Sequence, residues 1–187
     1  MNIVTAIPAK GNSNRLPNKN ILMFNGKPML AWAIEACEES KYPMEVYVSS
    51  DSEDVLKIAE WYGVNPLERH PDVCGDNVCK QAVIRSAAER IGTHRLVNEL
   101  EFPDIVISLQ PNSPQIRGYH LDFGIDALIR EDKDEIFSVD SNLMQNAAFR
   151  IMKWSYVFQR DLSTNCGVVV CDLKDIHTKE DMEKIGG

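Results

Sequence analysis

The sequence has no long apolar run. None of its hydrophobic stretches approaches the roughly 18 residues that a helix needs to cross a bilayer, so no membrane partner is expected. The opening stretch MNIVTAIPAK has no basic start, and its apolar run is too short for a secretory signal, which points to the cytoplasm. Positive charge is also scarce: the formal net charge is -8 and the pI is near 5.0. That balance argues against a nucleic-acid partner, which would need a basic face. The five cysteines, Cys37, Cys74, Cys79, Cys166 and Cys171, form no CxxC pair. Reduced structural thiols are expected, with Cys74 and Cys79 as half of a metal site the alternative. Internal repeats and low-complexity segments are missing. So are GxxxxGK[ST] and GxGxxG, which excludes the Walker loop and the dinucleotide fingerprint.

What is present is a chain of 187 residues with 44% hydrophobic and 26% charged content. This composition fits a single domain, residues 1–187, with a core of its own. Apolar runs alternate with amphipathic segments. NIVTAI, MEVYVSS, PDIVISLQ, DEIFSVDS, AFRIMKW and CGVVVCDL read as strands, the last as a buried one rich in β-branched residues. KPMLAWAIEACEES, SEDVLKIAEWYG, CKQAVIRSAAERIG, HLDFGIDALIRED and TKEDMEKIGG read as helices. Pro28 suits a first turn and Ser52 an N-cap, while Gly63 and Gly92 suit C-terminal stops. Thr178 and Asp181 have capping-box spacing. GTHRLVNELEFP reads as a surface connection. Strands separated by helices predict an α/β fold of three layers, with a mostly parallel sheet covered on both faces. Ligands of such sheets bind at the carboxyl ends of the strands.

The first strand runs into IPAKGNSNRLPNKN, a loop too long and too charged for a plain turn. Gly11 permits close backbone approach, and Asn12, Ser13 and Asn14 add donors and exposed N–H groups. Lys10, Arg15 and Lys19 add positive charge suited to phosphate oxygens. On an acidic protein this local basic loop suggests a small anionic ligand. A solvated loop with its charges in water is the alternative.

At these residues the chain resembles the sugar-acid cytidylyltransferases. IPAKGNSNRLPNKN followed by GKPMLAWAIEA is similar to the N-terminal signature of that family. VYVSSDSEDVLKIAEWYGV, then Arg69, Pro71 and Asp76 of ERHPDVCGD, follow in the family's order. LQPNSP is similar to a block of the acylneuraminate branch, SNRLP to the 3-deoxy-manno-octulosonate branch, and DIHTKEDMEKI to the family's ending.

The resemblance implies a Rossmann-like nucleotidyltransferase that transfers CMP from CTP to an acidic keto-sugar of the sialic acid type, with Mg²⁺, releasing pyrophosphate. It implies that Pro8, Ala9, Lys10, Gly11, Asn12, Ser13, Arg15, Lys19 and Asp76 hold the nucleotide. Lys10, Arg15 and Lys19 would serve catalysis. Gln110, Asn112 and Arg117 would contact the acid, and Asp175 and His177 would stand at the metal. Asp51 is a weaker metal candidate. A homodimer is also allowed. The departures are Lys10 in place of an arginine, His177 in place of a second aspartate, Arg117 displaced by one residue, and a very short segment before DIHT. A 3-deoxy-manno-octulosonate or other sugar nucleotidyltransferase, or a non-catalytic nucleotide- or sugar-binding module, is the alternative reading. At single positions the bland readings are a strand end at Gln110, a surface cap at Asp175, a loop histidine at 177, packing at Trp154 and Tyr156, and a structural cap at Asp181.

Overall fold

A computed structural model describes every residue except 14, 76, 160–163 and 187. Asp76 of the expected nucleotide set therefore lies outside the described residues, as does Asn14 of the loop. The strands are β1 (Ile3–Pro8), β2 (Met23–Phe24), β3 (Lys27–Pro28), β4 (Glu45–Ser50), β5 (Asn65–Glu68), β6 (Ile105–Leu109), β7 (Glu135–Val139), β8 (Gln145–Lys153) and β9 (Cys166–Val170). The helices are α1 (Met29–Glu38), α2 (Glu53–Trp61), α3 (Lys80–Val97), α4 (Gly118–Arg130) and α5 (Lys179–Gly186).

Seven strands form one sheet in the order β5-β4-β1-β6-β8-β7-β9. Its pairings are parallel except where β8 runs antiparallel to both β6 and β7. The chain winds from β1 outward to β4 and β5, then returns to place β6 on the other side of β1. That reversal opens a crevice at the carboxyl ends of β1 and β6, where an α/β sheet binds its ligands.

Alternation along each strand divides the core. Ile7 of β1, Val48, Ile107 and Phe149 pack beneath Leu30 and Ile34 of α1, Val55 of α2 and Leu121 and Ile125 of α4. Val4, Ala6, Tyr47, Val106 and Met152 point to the other face and are covered by Ile84, Ala87, Ala88 and Ile91 of α3. This is the three-layer arrangement that the strand–helix alternation predicts. A third cluster, Leu16, Phe24, Met29 and Ile176, joins the loop after β1 to the C-terminal segment.

Three local expectations need correction. The α3 helix runs through Gly92 to Val97, so half of the expected surface connection is helical. Gly92 is a packing position rather than a stop: a Cβ there would press on the Trp154 ring at 3.2 Å. Ser52 sits at the N-cap of α2, but its side chain makes no cap bond; instead its N–H donates to Ser50 Oγ at 3.0 Å. β9 is the sheet's end strand, not a buried one. Only its α4-facing side is covered, and Val168 and Val170 are 46% and 55% exposed. Thr178 and Asp181 do form the reciprocal cap of α5: the Thr178 N–H donates to Asp181 Oδ2 at 2.9 Å, and the Asp181 N–H donates to Thr178 Oγ1 at 3.2 Å. Trp154 packs on Phe102 and Phe158, in keeping with a structural role.

Candidate functional site: a cationic crevice at the carboxyl edge of the sheet

The loop after β1 is held open by backbone bonds. The Ala9 N–H donates to Ser49 O at 2.9 Å, and the Gly11 N–H donates to Asp51 Oδ1 at 2.8 Å. Asp51, at the end of β4, is thus spent on positioning the loop. A side chain at residue 11 would collide with Ser52 Cβ, which explains the glycine at this close approach. Asn20 Nδ2 donates to Lys10 O at 2.8 Å from the far end of the loop, and Leu16 anchors the middle in the third core cluster. These bonds hold the backbone of the loop in place.

The cations of the loop converge. Lys19 is held below the usual lysine range by partial burial, with the charges of Arg15 and Lys80 pushing the same way and Asp175 opposing them. Burial, then Lys19 and Arg15, likewise hold His177 below the usual histidine range against Asp175 and Asp181, so its imidazole is neutral at pH 7. A loop cation pair, the first residue of α3 and the C-terminal segment thus meet in one place. Gathering like charges is costly without an anion to offset them.

The C-terminal segment arrives there by a specific pairing. The Ile176 N–H donates to Asn112 O at 2.8 Å, and Asn112 Nδ2 donates back to Ile176 O at 3.4 Å. Ser113 donates its hydroxyl to Asp175 Oδ1. Asp175 Oδ2 lies 3.9 Å from His177 Nε2. Asn112, expected at the acid, is buried and engaged in this pin. Arg117 is also occupied: Nη1 donates to Pro114 O at 3.0 Å and to Ile116 O, and its guanidinium sits 5.1 Å from the Trp32 ring.

Gln110 lies where two adjoining hollows meet. The first, of about 260 Å³, is lined by Pro8, Lys10, Arg69, Val78 and Lys80 as well as Gln110. Arg69 is 8% exposed, and its Nη2 donates to Ser49 O at 2.9 Å. The second hollow, of about 240 Å³, is bounded by Lys80, Ile84, Ser108, Gln110, Gln145 and Arg150. Pro8, Lys10 and Gln110 are thus brought to one edge with Lys19 and Asp175. Ala9 is buried behind them, and Asn12 and Ser13 belong to the rim of the loop. Lys80, Ser108 and Arg150 were not foreseen as site residues. For Ser108 and Arg150 the signal was a polar residue inside an apolar strand, the serine of IVISLQ and the arginine of AFRIM, whereas Lys80, at a helix start, carried none.

Among the described residues, no group of three His, Cys, Asp or Glu side chains stands together as a metal site. Mg²⁺ is commonly held by one or two carboxylates plus substrate phosphates, so Asp175 alone fits such an ion. The His177 imidazole does not, because a hard cation prefers oxygen.

A crevice at the carboxyl edge of a mostly parallel sheet, beside a basic loop, is the setting in which α/β proteins bind anionic ligands. The cytidylyltransferase family profile matches residues 4–159, and the chain belongs to that family. N-acylneuraminate cytidylyltransferase A of Danio rerio is 31% identical over 137 residues, which is 73% of this chain and 30% of that protein. The pseudaminic acid cytidylyltransferase of Campylobacter jejuni is 39% identical over 84 residues, 44% of this chain and 36% of its own length. The chain therefore spans about a third of the length of these curated relatives. The fold superimposes on a CMP:2-keto-3-deoxy-manno-octonic acid synthetase solved with CTP, with a TM-score of 0.73 and 16% identity, covering 99% of this chain and 97% of that one. No helix among the described residues is long and apolar enough to cross a membrane.

Proposed function

We propose that the chain transfers CMP from CTP to the anomeric oxygen of an acidic nine-carbon keto-sugar, with release of pyrophosphate. The observation that carries this reading is the pair of adjoining hollows at the carboxyl edge of the sheet, whose walls bring together Gln110, Lys10, Arg69, Lys80 and Arg150. In the reaction the anomeric hydroxyl oxygen attacks the α-phosphorus and gives up its proton as the new P–O bond forms. The bond to the β,γ-diphosphate breaks, and pyrophosphate leaves with the electron pair. Such chemistry needs alignment and charge stabilisation rather than a protein nucleophile. The loop from Pro8 to Lys19 grips the triphosphate through backbone N–H groups and cations. Lys19 and Arg15 offset the charge that builds on the leaving diphosphate. The first hollow, with Lys10 and Arg69 on its wall, takes the nucleoside end. Gln110 and Arg150 meet the acid in the second, where the guanidinium suits a carboxylate. Asp175, with the substrate phosphates, would hold Mg²⁺, which would supply charge neutralisation there.

The test is product formation. Incubation with CTP, Mg²⁺ and a nine-carbon acidic keto-sugar is expected to give a CMP conjugate of the acid by mass spectrometry, with UTP, ATP and GTP far poorer donors. CTP binding without any conjugate would mean a binding module instead, the reading that the imidazole at 177 favours. The metal arm has its own expected result. His177→Asp restores an oxygen ligand, so the half-saturating Mg²⁺ concentration in a rate titration falls about tenfold. An unchanged titration curve would place residue 177 outside the ion's reach.

A further inference from the structure

The two hollows share a wall. Among the described residues, Lys80, Ile84 and Gln110 line both. Of these Lys80 alone carries a charge. It is the first residue of α3, and it is exposed. Its ammonium has no hydrogen bond or ion pair among the described residues. The arginines on the same walls are committed: Arg69 Nη2 donates to Ser49 O at 2.9 Å, and Arg150 donates to Gln81 Oε1 at 2.6 Å and to Glu135. Lys80 is also near enough to Lys19 for the two charges to oppose each other. The walls set its place along the line of reaction. With the nucleoside end in the first hollow and the acid in the second, the α-phosphorus lies where the two meet, because the new bond joins their contents. Lys10 and Arg69 line only the first hollow, and Arg150 only the second. Lys80 stands at the meeting point.

We infer that Lys80 is a further catalytic residue of this chain, with its ammonium on the non-bridging oxygens of the α-phosphate. The inference rests on the transfer reaction proposed above. There the anomeric oxygen bonds to the α-phosphorus while the bond to the diphosphate breaks. Pyrophosphate takes that electron pair, and the hydroxyl proton passes to water. Lys80 keeps its own protons throughout. The incoming oxygen adds its electron pair before the leaving group has gone, so the non-bridging oxygens carry their greatest charge in the transition state. A cation beside them lowers that barrier more than it strengthens binding of the ground state. Lys19 and Arg15 offset the charge of the diphosphate, so the cations divide the triphosphate among them. A compact charge on a flexible stem suits this station, because it can follow the phosphorus as its bonds exchange.

The experiment compares the wild-type protein with Lys80→Gln and Lys80→Arg, using CTP, Mg²⁺ and a nine-carbon acidic keto-sugar. The single-turnover rate of conjugate formation is expected to fall roughly 100-fold in Lys80→Gln, the size of one lost transition-state contact. CTP affinity by calorimetry should change by no more than about fivefold, the ceiling for an exposed ion pair. The side chain is exposed and supports nothing in the fold, so the melting temperature should stay within about 2 °C of wild type. Lys80→Arg keeps the charge and should recover most of the rate. An undiminished rate in Lys80→Gln, a loss of CTP affinity as large as the loss of rate, or an arginine variant as slow as the glutamine one would overturn the inference. Should the wild type transfer to no acid, the transfer reading fails on its own. The place of Lys80 is then decided by ³¹P NMR of CTP and Mg²⁺ on the protein. A shift of the bound α-phosphorus resonance in Lys80→Gln, with the β and γ resonances unmoved, supports it, and an unmoved α resonance overturns it.

Discussion

Lys19→Ala is expected to weaken CTP binding by roughly 10- to 100-fold, the range for one charge-assisted bond to phosphate. It should slow transfer further, because charge on the leaving diphosphate builds beyond that of the ground state. The fold should not suffer. Lys19 is partly buried, and its removal gives up the attraction of Asp175 but also relieves burial of a charge and the repulsion of Arg15 and Lys80. Its neighbours Asn20 and Leu16 still hold the loop, through Lys10 O and the third core cluster. Calorimetric titration with CTP and a thermal melt check the two halves together. Unchanged CTP affinity would remove the loop from the nucleotide site, and a large drop in melting temperature would make the lysine a structural residue.

Gly118→Ala is expected to do the reverse. A Cβ at this first residue of α4 would lie 2.6 Å from both Glu39 O and Ser40 N, at the end of α1. These are backbone atoms and cannot rotate away, so α1 and α4 must separate. Overpacking of this kind costs about 3 kcal/mol. For a chain of this length that corresponds to a melting point lower by about 10 °C. Gly118 also donates its N–H to Glu39 Oε2 at 3.1 Å, a bond that the separation would stretch. Because this contact is on the far side of the sheet from α3, CTP affinity at low temperature should stay within about twofold of wild type, as for distant independent sites. A melt within about 2 °C of wild type, less than one kcal/mol on the same scale, would show that the two helices yield easily here.

The elements with strong local signals were legible in the sequence. The apolar run of β1, the Gly63 stop after α2 and the Thr178–Asp181 cap each carry their instruction within a few residues. The loop from Pro8 to Lys19 carried a composition suited to an anion, and the structure brings its Pro8 and Lys10 to the hollow that Gln110 also lines. What was hidden depends on register and order. Nothing local shows that β8 inserts antiparallel between β6 and β7, yet that insertion alone sets Arg150 opposite Ser108. Lys80 sits at a helix start with no motif of its own and joins the crevice only because α3 covers β1 and β6. In LQPNSPQIR nothing local shows that Asn112 bonds to Ile176 of the C-terminal segment, or that the Arg117 guanidinium lies 5.1 Å from the Trp32 ring. Gly92 reads as a stop by rule, whereas Trp154, distant in sequence, makes it a packing residue.

The central claim is that CTP lies in the crevice at the carboxyl ends of β1 and β6. The most direct test is amide hydrogen exchange with and without CTP and Mg²⁺. The account predicts slower exchange in residues 8–20, at the start of α3 and in residues 108–113, with the opposite edge around Met1, Pro43 and Glu45 unchanged. Protection confined to that opposite edge, or none at saturating CTP, would contradict it.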